Sequence, residues 1–106
     1  MTVGPQTTSG AGAAPEEAIA ILEQLASRLA ADGWQVQLHA PPDRRPMLHV
    51  ANPAVVFLAE LVTAEWGRDG RWWLWWSWAE RISPADDLER AAATIGRVLA
   101  SAGAGR

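Results

Sequence analysis

The chain reads as an α+β domain in two layers: a helix, a four-stranded antiparallel meander and a second helix, with both helices on one face of the sheet. Three observations lead there. Apolar residues recur at helical spacing in two blocks, one near each end. Between those blocks the spacing falls to two, the period of a half-buried strand. The joints between successive strand blocks are short, which favours hairpins over crossovers. At 106 residues there is room for one domain. It is expected at 15–101, between a disordered tail at 1–14 and a frayed end at 102–106.

The tail is rich in Gly, Ser, Thr, Ala and Pro, and has too little apolar surface to offset the entropy of ordering. Pro15-Glu16-Glu17 opens the first helix, because Pro suits its first position and the carboxylates face the positive end of the dipole. Ile19, Leu22, Leu25, Ala26 and Leu29 form its apolar stripe, and Gly33 fits a left-handed cap. Trp34, Val36 and Leu38 alternate with Gln35, Gln37 and His39 as the first strand. Pro41 to Pro46 is a turn. Met47 to Ala51 makes the second strand, stopped by Asn52-Pro53. Residues 54–59 fit a helical turn or an extended crossing equally. Glu60 to Trp66 and Trp72 to Ile82 are the third and fourth strands. Ser83-Pro84-Ala85-Asp86 then resembles a helix start with an approximate capping box. Leu88, Ala91, Ala92, Ile95, Val98 and Leu99 follow as the second apolar stripe.

Five of the seven tryptophans fall at 72, 73, 75, 76 and 78. A strand built from them carries aromatic surface on both faces, whereas a sheet in water needs one. The turn Gly67-Arg68-Asp69-Gly70-Arg71 sorts them. A three-residue loop with Gly70 left-handed pairs Gly67 with Arg71. One face then collects Val62, Ala64, Trp66, Trp72, Leu74, Trp76 and Trp78, all apolar. The other collects Leu61, Thr63, Glu65, Trp73, Trp75 and Ser77. A two-residue loop scatters polar residues over both faces, so the bulged register is preferred. Trp34, Trp66, Trp72, Trp76 and Trp78 are thereby assigned to the core, each worth up to about 5 kcal/mol at ~25 cal/mol/Å².

Trp73 and Trp75 are left on the solvent side beside Thr63 and Glu65, and these four define an expected binding face. Local packing on Arg71, Arg81 or the loop, or burial in a homodimer seam, is the competing account of the two indoles. His39 and His49 alternate with apolar residues and are expected on the same outer face. Two histidines with no nearby carboxylate make a poor metal site. Asp86 and Asp87 read as first-turn helix acids, and Glu80 with Arg81 as a solvated pair.

Composition narrows the function classes. The net charge is −3, with a pI near 5.2 and no basic stripe, so no nucleic-acid partner is expected. No cysteine is present, which removes disulfides and thiolate chemistry. With no apolar run of spanning length and no secretory signal pattern, the expectation is a cytoplasmic protein with no membrane partner. No phosphate loop, dinucleotide fingerprint or nucleophile elbow occurs. Neither an enzyme, a cofactor nor a metal is expected.

The segments LHVANP (48–53) and WWLWWSWAERISPADD (72–87), with the closing Ala-rich helix, resemble a group of small actinobacterial proteins of unknown function. The resemblance covers Leu48 to Leu99, about half of the chain, and its specific part is the Trp segment. Members of that group look like companions of helix-turn-helix regulators, which implies a regulatory or adaptor setting. The helix–meander–helix order is also similar to small chaperone-like α+β domains that dimerise and hold partner segments, at the level of fold alone. The resulting expectation is a non-catalytic interaction or adaptor domain, acting as a homodimer or on a protein partner. The alternative is a small-molecule module that stacks a cationic or sugar ligand on Trp73 and Trp75, with polar contacts from His39 or His49.

Overall fold

The computed structural model describes residues 15–104. Along the chain lie α1 (Pro15–Ala31), β1 (Gln35–His39), β2 (Met47–Asn52), β3 (Val55–Trp66), β4 (Trp72–Trp76), β5 (Arg81–Pro84) and α2 (Leu88–Ala104). The strands form one antiparallel sheet in the order β1-β2-β3-β4-β5. The meander therefore has five strands where four were expected. The tail expected at 1–14 and the last two residues of the frayed end expected at 102–106 lie outside the described residues. α2 continues through Ala104, beyond the expected end at 101.

The α1 stripe buries Ala18, Leu22, Leu25 and Leu29. Its end is a Schellman cap: Gly33 has φ of 99°, Trp34 N–H donates to Leu29 C=O, and Gly33 N–H donates to Ala30 C=O. Against α1 and the Ala91, Ala92, Ile95 and Leu99 face of α2 pack Leu48, Val50, Val62, Ala64, Leu74 and Trp76. Both helices thus cover one face of the sheet. Arg28 of α1 donates two hydrogen bonds to the Glu89 carboxylate of α2, at 2.7 and 3.1 Å. This bonding and its charge hold the Glu89 carboxyl below the usual carboxylate range and raise Arg28. The pair is exposed to solvent and orients the helices more than it stabilises them.

Of residues 54–59, Ala54 lies in the turn and 55–59 resolve as strand, because the Asn52–Val55 hairpin folds them back along β2. Asn52 Oδ1 accepts from Ala54 N–H at 2.8 Å, closing that turn around Pro53. The register slips there, Ala51 pairing with Ala59 and Asn52 with Val55.

The expected single strand from Trp72 to Ile82 is instead two strands. A turn at Ser77–Glu80 divides it, with Trp76 N–H donating to Glu80 C=O and Ala79 N–H to Trp76 C=O. The turn repeats the geometry of the Gly67–Arg71 hairpin, where Gly67 N–H donates to Arg71 C=O and Gly70 has φ of 78°. Ala79, at φ of 70°, takes the position that Gly70 takes there. An alanine in that position is strained by about 1–2 kcal/mol. Ala79→Gly is therefore expected to stabilise the domain by about 0.5–1 kcal/mol, the remainder being offset by glycine's freedom in the unfolded chain. An upward shift of the denaturation midpoint at unchanged slope would register it.

The second helix begins later than expected. Ser83 and Pro84 belong to β5, and Asp87 is the cap, its Oδ1 accepting from Arg90 N–H at 3.2 Å. Pro84 is tolerated because β5 is an edge strand and needs no N–H on its open side.

Two tryptophans expected in the core are largely exposed, Trp66 at 43% and Trp78 at 47%. Trp66 keeps its expected side of the sheet, in a depression of about 560 Å³ that it shares with Pro15, Ala18 and Trp72. Trp72, half-buried, donates its indole N–H to Glu17 at 3.1 Å. Trp78 leaves the strand at the Ser77–Glu80 turn and stacks on Trp76, with ring centroids 4.7 Å apart and planes 7° apart. Trp34 is half-buried against the core beside Gly96.

Candidate interaction face

The outer face of the sheet, opposite the helices, is set by the hairpin register. Trp66 pairs with Trp72, Glu65 with Trp73, Ala64 with Leu74 and Thr63 with Trp75. This is the register that a left-handed Gly70 requires. Among the described residues no helix covers this face. Thr63 is nevertheless only 6% exposed, enclosed by its neighbours on the sheet. It lies in a shallow depression of about 330 Å³ with Arg45, Met47, Glu65, Trp75 and Ser77.

Trp73 and Trp75 are half-buried rather than fully open. Their cover comes from side chains on the same face. The Arg81 guanidinium of β5 lies 4.3 Å from the Trp73 ring centroid and 5.3 Å from that of Trp75. Arg71 lies 5.8 Å from Trp73. Such contacts are worth about 0.5–1 kcal/mol each at exposed sites. The Trp73 indole N–H donates to both Asp69 oxygens at 3.1 Å, which fixes the ring over its own turn. Arg45, from the β1–β2 connection, pairs with Glu65. The edge of the face is therefore ionic and its centre is indole.

Gly67 makes room for this arrangement. A Cβ there would lie 2.7 Å from Asp69 Oδ1, 2.8 Å from Trp73 Cδ1 and 3.1 Å from the Arg71 carbonyl oxygen. Gly67→Ala is expected to unseat Trp73 at a cost of about 1–3 kcal/mol. The loss should appear in the denaturation midpoint together with a shift in tryptophan emission.

His39 and His49 do share the outer face, on β1 and β2, with ring centroids 6.4 Å apart in a T-shaped pair. Gln37 pairs with His49, and His49 with Leu61. β3 therefore separates them from the tryptophans of β4. Thr63, Glu65, Trp73 and Trp75 form one contiguous set, and the histidines lie at its far margin. Among the described residues no group of three or more His, Asp or Glu side chains converges as metal ligands do.

Of the two places expected for Arg81, a solvated pair with Glu80 and a packing surface for the indoles, the structure has the second. Glu80 accepts from the Trp78 indole N–H at 3.1 Å, and Arg81 pairs across the strand with Trp75. The turn at Ser77–Glu80 reverses the chain and delivers Arg81 to the indoles. The sequence signal for such a turn is weak, because it contains no Gly, Asn, Asp or Pro. Asp86 was expected as a helix acid and instead accepts from Arg71 at 3.3 Å.

No helix among the described residues is long and apolar enough to cross a membrane. Comparison with known proteins found no match: no family model, no curated protein and no solved structure.

Proposed function

We propose that the chain is a non-catalytic interaction domain, an adaptor that docks a protein partner on the outer sheet face through Trp73, Trp75 and Glu65, with Thr63 enclosed beneath them. One observation carries this reading. A sheet face without a helix over it in the described residues holds two half-buried indoles layered with arginine. Trp and Arg are the residues that dominate binding energy at protein interfaces. A cationic or sugar ligand stacking on Trp73 would have to displace Arg81, so the small-molecule reading ranks second. The sequence resemblance to companions of helix-turn-helix regulators adds a regulatory setting to the proposal.

The test is affinity capture from the native host, run in parallel with the wild-type domain and the Trp73→Ala/Trp75→Ala double variant. Circular dichroism checks that both are folded. A partner held by the wild type and lost from the folded double variant supports the reading. Equal retention by both, or retention of no protein by the wild type, overturns it.

A further inference from the structure

The two edges of the sheet are built differently. β5 ends the sheet with several of the common protections against strand addition. It is short, Pro84 lacks an N–H, a bulge shifts its register between Leu74 and Trp75, and Arg81 places a charge on it. β1 is nearly as short, at five residues, but has none of the other three. Gln35-Val36-Gln37-Leu38-His39 contains no Pro, Lys, Arg or acid, and it pairs with β2 without a bulge. Nothing among the described residues pairs with its free side. Gln35, Gln37 and His39 are exposed, while Val36 and Leu38 are half-buried at the margin of the core. Depressions of about 370 and 580 Å³ adjoin the strand, the first shared with His49 and Ala51 of β2, the second with Pro41, Arg44 and Met47 at the β1–β2 turn.

We infer that β1 is a dimerisation edge at which two copies of this chain pair antiparallel about a two-fold axis through Gln37, joining their sheets into one of ten strands. The occupant follows from the strand's own pattern. Centred on Gln37, the pairing sets Val36 of each copy opposite Leu38 of the other, on the helix-covered side. It sets Gln35 opposite His39 and Gln37 opposite its symmetry mate, on the outer side. Apolar thus meets apolar and polar meets polar, as a self-complementary two-fold interface requires. The segment carries no acid or arginine, so two copies meet there without like-charge repulsion from those side chains. The open backbone groups of β1 gain partners, and the half-buried Val36 and Leu38 gain a covering strand. The edge is separate from the Trp73–Trp75 face, and the inference stands independently of the proposed partner.

Sedimentation and light scattering over a dilution series test it, using the wild type, Gln37→Lys, Gln37→Glu and an equimolar mixture of the two variants. Gln37 is exposed, so both variants should fold. The expected result is a wild-type dimer. In each variant two like charges oppose each other at the axis, and the dissociation constant should rise by about tenfold or more. The mixture should recover the dimer, because one ammonium then faces one carboxylate. The Trp73→Ala/Trp75→Ala double variant should remain dimeric. A wild type that is monomeric throughout the series overturns the inference. So does a Gln37→Lys dimer as tight as the wild type, a mixture that fails to recover, or a dimer lost in the tryptophan double variant.

Discussion

Trp76→Ala is expected to remove about 3–5 kcal/mol of folding stability. A domain of this kind holds about 5–15 kcal/mol in total, so the variant should be partly unfolded at room temperature. Trp76 is only 3% exposed and lies in the contiguous cluster with Leu48, Val62, Leu74, Ile95 and Leu99. Truncation leaves a cavity the size of an indole between the sheet and the helices. The surrounding strands are held in register by the Val62–Trp76 pairing and cannot collapse into it. Trp78→Ala, two residues away, should cost about 0.5–1.5 kcal/mol, the value of its stack on Trp76. Denaturant titration followed by circular dichroism measures both. Equal losses at the two positions would contradict the sorting of the tryptophan segment into core and surface.

The Trp73→Ala/Trp75→Ala double variant is expected to show the opposite behaviour. Both rings pack on side chains of their own face rather than on the core. Their removal should preserve the far-ultraviolet spectrum and lower the denaturation midpoint modestly. Binding to the captured partner should fall by about 10²–10³-fold, since interface hot spots cost about 2 kcal/mol or more each. Titration of the purified pair by calorimetry measures the loss. A fold that collapses with the double variant would make these indoles structural and sink the assignment of the face.

Much of the architecture was legible because it rests on local periodicity and on one glycine. The stripes of α1 and α2 are governed by the helical repeat, and the residues expected to be buried are largely those that pack in the core. The face parity of β3 and β4 follows from Gly70 alone, since only a residue free of Cβ strain takes a left-handed turn position without cost. That single position separated Trp76 from Trp73 and Trp75 and placed Thr63 and Glu65 beside them.

Other features depend on residues that are distant in sequence or on costs absorbed by the whole fold. The Ser77–Glu80 turn holds Ala79 against its own preference, and no local signal announces it. Strand pairing between β4 and β5 sustains that turn, and with it the exposure of Trp78 and the delivery of Arg81 to the indoles. Trp66 lies on the side of the sheet that parity assigns to it, yet among the described residues it stays exposed beside the start of α1. Periodicity determines which way a side chain points, through bond geometry that every residue carries with it. Whether anything lies there to cover it depends on where other elements begin and end, and only the assembled layers decide that.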